Sequence, residues 1–221
     1  MNMLSFAINA AERTPLNDSV TLAGIDMLCA RTKRRLAKIP ADAELVFAAD
    51  MAKFPIASHT DEANRQHYEV PAEFFALVLG AQRKYSCCYY PDAATTLDEA
   101  ETAALAETVA HAGLQDGMDI LELGCGWGSL SLYMAGRFPN ARITSVSNSA
   151  SQREYIIGCA RERGFSNLSV VTADMNDFTP GARFDRVVSV EMFEHMSNWR
   201  ALFERVHVWM KPEGRFFLHV F

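Results

Sequence analysis

The stretch Glu122-Leu-Gly-Cys-Gly-Trp-Gly-Ser129 decides how the rest of this 221-residue chain is read. It closes an apolar run of strand length, residues 119–123, and opens onto residues 129–138, whose apolar spacing is helical. Three glycines at alternate positions let the backbone pass close to a ligand with no Cβ atoms in the way, and the helix behind them presents free N–H groups. A dinucleotide-binding turn needs G-x-G-x-x-G and an acid after the next strand. Here the sixth position is Ser129, and the strand at 142–146 runs into Ser147-Asn148. The turn is therefore read as holding a different ligand, the alternative being a turn needed only for tight strand-to-helix packing.

Outward from that turn, the pattern towards the end of the chain is regular. Thr96-Leu-Asp-Glu99 has capping-box spacing, Leu105 and Val109 share a helical face, and Gly113 can end that helix. Ser149-Ala-Ser-Gln152 repeats the capping box and opens a helix that runs to Arg163 and stops at Gly164. Strands at 168–173 and 184–190, a helix at about 198–210, a Lys211-Pro-Glu-Gly214 turn and a strand at 215–221 complete the order. This βαβ series predicts an α/β fold, a parallel sheet with helices on both faces, and ligands outside the carboxyl ends of the strands.

Residues 1–95 lack that alternation and read as a helical region, with 96–221 as the sheet core. Asn17-Asp18-Ser19 can cap a helix whose Leu22, Ile25, Leu28 and Cys29 share a face. Arg31, Lys33, Arg34, Arg35 and Lys38 follow as a solvated basic helix end, with peripheral contact to anionic lipid or an acidic partner as the alternative. A second helix is expected at 42–53, and Pro71 is placed to open an apolar helix at 72–79 closed by Gly80.

Composition excludes some function classes. A hydrophobic content of 49% is ample for a core, and a net charge of −6 gives no basic field for gripping nucleic acid phosphates. No run approaches the roughly 20 apolar residues that span a bilayer, and residues 1–11 lack the pattern of a signal peptide, so a cytoplasmic location is the default expectation. Cys29, Cys87, Cys88, Cys125 and Cys159 are odd in number, without paired metal-ligand spacing, and read as reduced thiols with no metal site.

Glu122 placed two positions before the first glycine resembles the pattern of S-adenosylmethionine methyltransferases. The likeness extends over residues 66–221. There the chain resembles the cyclopropane-fatty-acid synthase family and, within it, the coclaurine N-methyltransferase-like branch. It rests on His67-Tyr-Glu-Val-Pro71, Tyr85-Ser-Cys-Cys-Tyr89, Glu122 to Ser129, Ser147-Asn-Ser149 with Gln152, and Glu191-Met-Phe-Glu-His195. The resemblance implies a Rossmann-like methyltransferase sheet, incomplete at its fifth strand, behind an N-terminal helical region that contributes to the cofactor and acceptor site. By the same resemblance, Tyr85, Ser86 and the turn Gly124, Cys125, Gly126 and Gly128 hold the methionine end of S-adenosylmethionine. Ser147, Asn148 and Gln152 lie by the ribose and adenine, and Met175 and Asn176 flank the adenine ring. Ser149 and Gln152 as a plain helix cap, and Met175 as core packing, remain the simpler readings.

Glu191, Glu194 and His195 follow the strand at 184–190, at the substrate side of the site. Partial desolvation beside Met192, Phe193 and Met196 raises a carboxyl pKa and makes a better base near neutral pH. An amine attacks a sulfonium methyl only as its neutral lone pair, so these three residues are expected to anchor the acceptor and remove its proton. The simpler reading makes Glu194 and His195 a helix cap or ion-pair partners. In the lipid-modifying branch the resemblance implies methyl addition to an alkene, with a bicarbonate held by Cys, Glu and His taking the proton; Cys87, Glu194 and His219 occupy those positions. Glu191 stands where the lipid enzymes usually carry a small residue, which favours a small amine over a lipid acyl chain. The acceptor motif of nucleic-acid methyltransferases, Asp/Asn-Pro-Pro-aromatic, is replaced by Glu191-Met-Phe-Glu194. The resemblance also runs on beyond residue 221, and an end on the apolar segment at 216–221 would leave a bare sheet edge. The sequence thus predicts a fragment that retains the cofactor residues, with a module that binds without turnover as a further alternative.

Overall fold

The computed structural model describes residues 16–58 and 72–220; His67-Tyr-Glu-Val-Pro71 and residues 1–11 lie outside them. The chain divides into two compact units, Met1–Ala49 and Asp50–Phe221, and the change of sequence pattern near residue 95 falls inside the second.

In the first unit, α1 (Asp18–Leu36) starts where the Asn17 side chain accepts from the Ser19 N–H at 2.9 Å. Its basic residues Lys33, Arg34 and Arg35 sit in the last turn, where they favour the negative end of the helix dipole. Leu22 and Ile25, expected on a packed face, are exposed, and no described residue of the helix is buried. Helix α2 (Ala43–Asp50) ends on the first residue of the second unit, which opens with a 3-10 turn at Met51–Lys53; the two fall on the helix expected at 42–53. No described helix is long and apolar enough to cross a membrane.

The second unit is built on five parallel strands: β1 (Asp119–Leu123), β2 (Arg142–Ser147), β3 (Leu168–Thr172), β4 (Phe184–Val190) and β5 (Met210–His219), in the order β3-β2-β1-β4-β5. The helices are α3 (Ala72–Val78), α4 (Leu97–Ala112), α5 (Ser129–Arg137), α6 (Ala150–Glu162) and α7 (Trp199–Trp209). Successive strand residues point to opposite faces. Leu121, Leu123, Val146 and Val187 therefore pack with Leu202, Val206 and Trp209 of α7, while Ile120, Ile143 and Val188 pack with Leu105, Val109, Leu130 and Met134 of α4 and α5. Each such aliphatic side chain contributes about 1.5–3 kcal/mol on burial. Helices on both faces and an all-parallel sheet are what the alternating pattern predicts.

Two local readings need correction. The Lys211-Pro-Glu-Gly214 segment is no separate turn but an irregularity within β5: Phe184 pairs with Met210, and the next matched pair is Arg186 with Arg215. Pro212 lacks an N–H, and a break in the ladder is where a strand tolerates it. The capping box at Ser149 is half formed. Gln152 N–H reaches the Ser149 hydroxyl at 3.4 Å, but the Gln152 side-chain oxygen accepts from Ser147 Oγ at 2.6 Å instead of returning to the cap. At Thr96 both halves are present, and Gly113 ends α4 at φ +60°.

Candidate functional site

The glycine turn leaves β1 and is pinned at once, because the N–H groups of Gly124 and Cys125 both donate to the Val146 carbonyl at 3.0 Å. Gly124 has φ +78° and Gly128 has φ +80°, conformations that L residues with side chains avoid. A Cβ on Gly124 would stand 2.6 Å from the Met192 side chain, and one on Gly128 would stand 2.5 Å from Ile156 Cγ1. The turn is thus held closely against the segments after β4 and within α6.

Beneath it lies Glu122, buried, accepting from Ser131 Oγ at 2.5 Å and Ser145 Oγ at 2.8 Å. Burial pushes its carboxyl pKa up, and the two hydroxyls pull the other way. Ser145 is its register partner on β2, and Ser131 lies in the first turn of α5, so Glu122 ties the turn to both neighbours. The buried Cys125 thiol is held well above its ordinary pKa by desolvation and by Glu122, which leaves it an inert neutral lining group.

Tyr85, Ser86, Glu122, Gly124, Cys125, Gly126, Ser147, Asn148, Gln152, Met175, Glu191, Glu194 and His195 line one cavity of about 470 Å³ at the carboxyl ends of the strands. Four expected residues stand elsewhere. Gly128 backs the turn against Ile156, Asn176 brackets Ala57 through its oxygen (3.1 Å) and its nitrogen (2.9 Å), and Cys87 and His219 stand beside Glu191. Asn176 thereby holds Ala57, which lines the cavity itself. Two buried polar atoms of lining residues, Gln152 Nε2 and Ser129 Oγ, have no hydrogen-bond partner among the described residues. Unsatisfied buried donors are costly and rare, so this pair marks a place for a polar ligand.

The wall before α4 is organised by a residue with no local sequence signal. The buried Glu101 carboxylate accepts from the N–H groups of Gly80 (2.9 Å), Gln82 (2.8 Å) and Lys84 (3.1 Å). That clamp accommodates Arg83 at φ +49° and buries Lys84, whose ammonium donates to Ser86 Oγ at 2.8 Å. Arg83 lies over the Tyr155 ring at 4.2 Å, and Tyr155, Trp127, Phe75 and Tyr85 make successive ring contacts at 5.2–5.5 Å. Burial, then the hydrogen bond to Cys159, pushes the Tyr155 hydroxyl up to about 12 against the pull of Arg83. Arg83, Lys84 and Asp174 join the lining without having been foreseen, and Trp127 of the expected turn lines it too.

At the other side, Glu191 takes φ +52°, and its N–H donates to the His219 carbonyl at 2.8 Å. Its carboxylate accepts from Cys87 Sγ at 3.4 Å. Burial raises the Cys87 pKa, Lys84 lowers it, and the bond to Glu191 raises it further. Glu194 and His195 occupy the 3-10 turn Phe193–His195, fixed by the fully buried Phe193 ring against Trp199, Phe203 and Phe216. Of the three expected acceptor-side groups, Glu191 is half-buried, while Glu194 and His195 are exposed at the rim. The cavity thus joins the unpartnered polar groups of Ser129 and Gln152, at the starts of α5 and α6, to a carboxylate that accepts from a neighbouring thiol.

Residues 57–221 match the family described as Mycolic acid cyclopropane synthetase. The chain is 40% identical over 168 residues to an (S)-coclaurine N-methyltransferase of Thalictrum flavum subsp. glaucum, covering 76% of this chain and 46% of the relative. Against the cyclopropane-fatty-acyl-phospholipid synthase of Escherichia coli K12 the figures are 35% over 158 residues, 70% and 39%. A crystal structure of coclaurine N-methyltransferase bound to N-methylheliamine and SAH superposes with a TM-score of 0.81 at 36% identity, covering 88% of this chain and 59% of that one. The chain spans about half the length of the curated relatives it matches.

Proposed function

The chain belongs to the Mycolic acid cyclopropane synthetase family, and from that premise we propose that the full-length protein is an S-adenosylmethionine-dependent methyltransferase acting on the nitrogen of a small amine. The observation that carries this reading is Glu191, a half-buried carboxylate with positive φ that lines the same cavity as the glycine turn.

The site fits the cofactor by its own chemistry. Gly126 faces open space where a Cβ would stand, and Gln152 Nε2 and Ser129 Oγ lack partners among the described residues. Tyr85, Ser86 and the turn from Gly124 to Gly128 would hold the amino-acid end, Ser147, Asn148 and Gln152 the ribose and adenine, and Met175 the adenine face. When bound, S-adenosylmethionine supplies an electrophilic methyl group on a sulfonium sulfur.

The protein's part is to position the amine and manage its proton. Glu191 holds the incoming ammonium and accepts a proton at a carboxylate oxygen, freeing the nitrogen lone pair. Holding that nitrogen about 3 Å from the reacting carbon removes most of the entropic barrier to the encounter. Glu194 and His195 receive the proton at the rim and pass it to water. The N-methyltransferase relatives, matched at 33–40% identity, support nitrogen as the acceptor.

A lipid acyl chain is the second reading, supported by the approach of Cys87 and His219 and by the Escherichia coli relative. By the resemblance it would need a bicarbonate beside Cys87, in space where the Glu191 carboxylate already stands. Incubating the full-length protein with methyl-labelled S-adenosylmethionine, a small secondary amine such as a tetrahydroisoquinoline and unsaturated phospholipid vesicles tests the choice. Label is expected in the amine; label only in the lipid overturns the reading.

A further inference from the structure

Among the described residues, Cys87, Glu191 and His219 are the one group of three metal-binding side-chain types whose ligand atoms come together, all within 4.8 Å of one another. They arrive from three separate segments. Glu191 and His219 sit at the ends of neighbouring strands, with Val190 and His219 in register and the Glu191 N–H fixed to the His219 carbonyl at 2.8 Å. Cys87 comes from the loop shaped by Glu101 and already meets Glu191 at 3.4 Å.

Four-coordinate zinc binds sulfur at about 2.3 Å and nitrogen or oxygen at about 2.0–2.2 Å, which places tetrahedral ligand atoms about 3.3–3.7 Å apart. The sulfur–oxygen pair has that separation, and an imidazole nitrogen lies within 4.8 Å of both. We propose that Cys87, Glu191 and His219 form a binding site for zinc or a similar borderline-soft divalent ion, with the fourth coordination position left open. A thiolate, an imidazole and a carboxylate are the ligand types such an ion selects over magnesium or calcium. On binding, a metal–sulfur bond forms and the thiol proton passes to the buffer; nothing is oxidised or reduced.

The consequence rests on the amine-methylating reading. An ion bound there occupies the Glu191 carboxylate, so the acceptor loses its anchor and its base while the glycine turn is untouched. Zinc should then inhibit turnover competitively with the amine and leave S-adenosylmethionine affinity unchanged.

Binding is tested without any turnover, so that failure of the metal site and failure of the methyltransferase reading are separable. The 221-residue chain, reduced and metal-free, is titrated with cobalt(II). A single equivalent is expected to produce the near-ultraviolet thiolate-to-cobalt charge-transfer band and the visible bands of four-coordination, and zinc should erase both. Cys87→Ser should abolish the charge-transfer band. Glu191→Gln and His219→Ala should each weaken cobalt binding at least tenfold, and Cys29→Ser and Cys88→Ser should retain the band, with circular dichroism confirming that every variant is folded. Absence of the band in the parent chain, its survival in Cys87→Ser, or unchanged midpoints in both Glu191→Gln and His219→Ala would overturn the site.

Discussion

The two ends of the sheet are built on opposite principles. At the amino ends of the strands a set of charges is mutually paired: Asp119 with Arg142 at 2.5 Å and with Lys211 at 2.8 Å, and Lys211 also with Asp185 at 2.8 Å. The Asp119 N–H in turn donates to Asp185 at 2.8 Å. At the carboxyl ends, Glu122 is desolvated, Gln152 Nε2 and Ser129 Oγ have no partner among the described residues, and Glu191 holds a positive φ. Satisfied groups at one end stabilise the fold, and the unsatisfied ones at the other are those that the proposed function assigns to a ligand. A parallel sheet permits this division because all its strands deliver their last residues to the same edge.

The comparison breaks most readily at Glu191. Glu191→Gln should lower methyl transfer by the full-length protein about a hundredfold to ten-thousandfold, the range for loss of a positioned base. S-adenosylmethionine affinity, measured by calorimetry, should stay within about twofold, a difference below 0.5 kcal/mol. A parallel loss of cofactor binding would show that Glu191 holds the fold of the site rather than the acceptor.

Gly128→Val comes next, since a side chain there meets both a positive φ and Ile156. About 3 kcal/mol of stability should be lost, from left-handed strain and overpacking together, with cofactor affinity falling alongside. Denaturant unfolding measures the first and calorimetry the second. A smaller effect is expected from Gln152→Ala. Removing a donor that a ligand would satisfy should weaken S-adenosylmethionine about tenfold, equivalent to about 1.4 kcal/mol.

The smallest effect belongs to the amino end, where Asp119→Asn should cost about 1 kcal/mol and leave cofactor affinity alone. Its sign with pH is opposite to that of Glu122. Arg142 and Lys211 hold the Asp119 carboxyl below the usual range, so its stabilisation is present above about pH 4 and lost as pH falls through the folded-state value. The Glu122 carboxyl is raised by burial, so its contribution is present in acid and lost as pH rises through the folded-state value. Urea midpoints from neutral pH down to the carboxylate range should therefore show a shallower acid loss in Asp119→Asn than in the parent.

Much of this division is legible along the chain. Strands β1 and β4 fall on their expected residues, and Thr96 caps α4 as its spacing implies, because these features depend on neighbours a few positions apart. The bulge at Lys211–Gly214 is invisible locally, since Pro and Gly signal a turn whether or not the ladder resumes on both sides. Gln152 has capping-box spacing, but a stronger acceptor role opens at Ser147 once β2 ends beside α6. Glu101 looks like any helix acid, and its three partners lie 17–21 residues away. Cys87 meets Glu191 rather than Glu194 because the backbone turns at φ +52°, a conformation no side chain announces.

The most direct test is a calorimetric titration of S-adenosylmethionine into the 221-residue chain and its Gln152→Ala and Asp119→Asn variants. One saturable site is expected in the parent, weakened about tenfold by Gln152→Ala and unaltered by Asp119→Asn. No saturable binding in the folded parent chain, or equal weakening by both substitutions, would contradict the assignment of the carboxyl edge as the cofactor site.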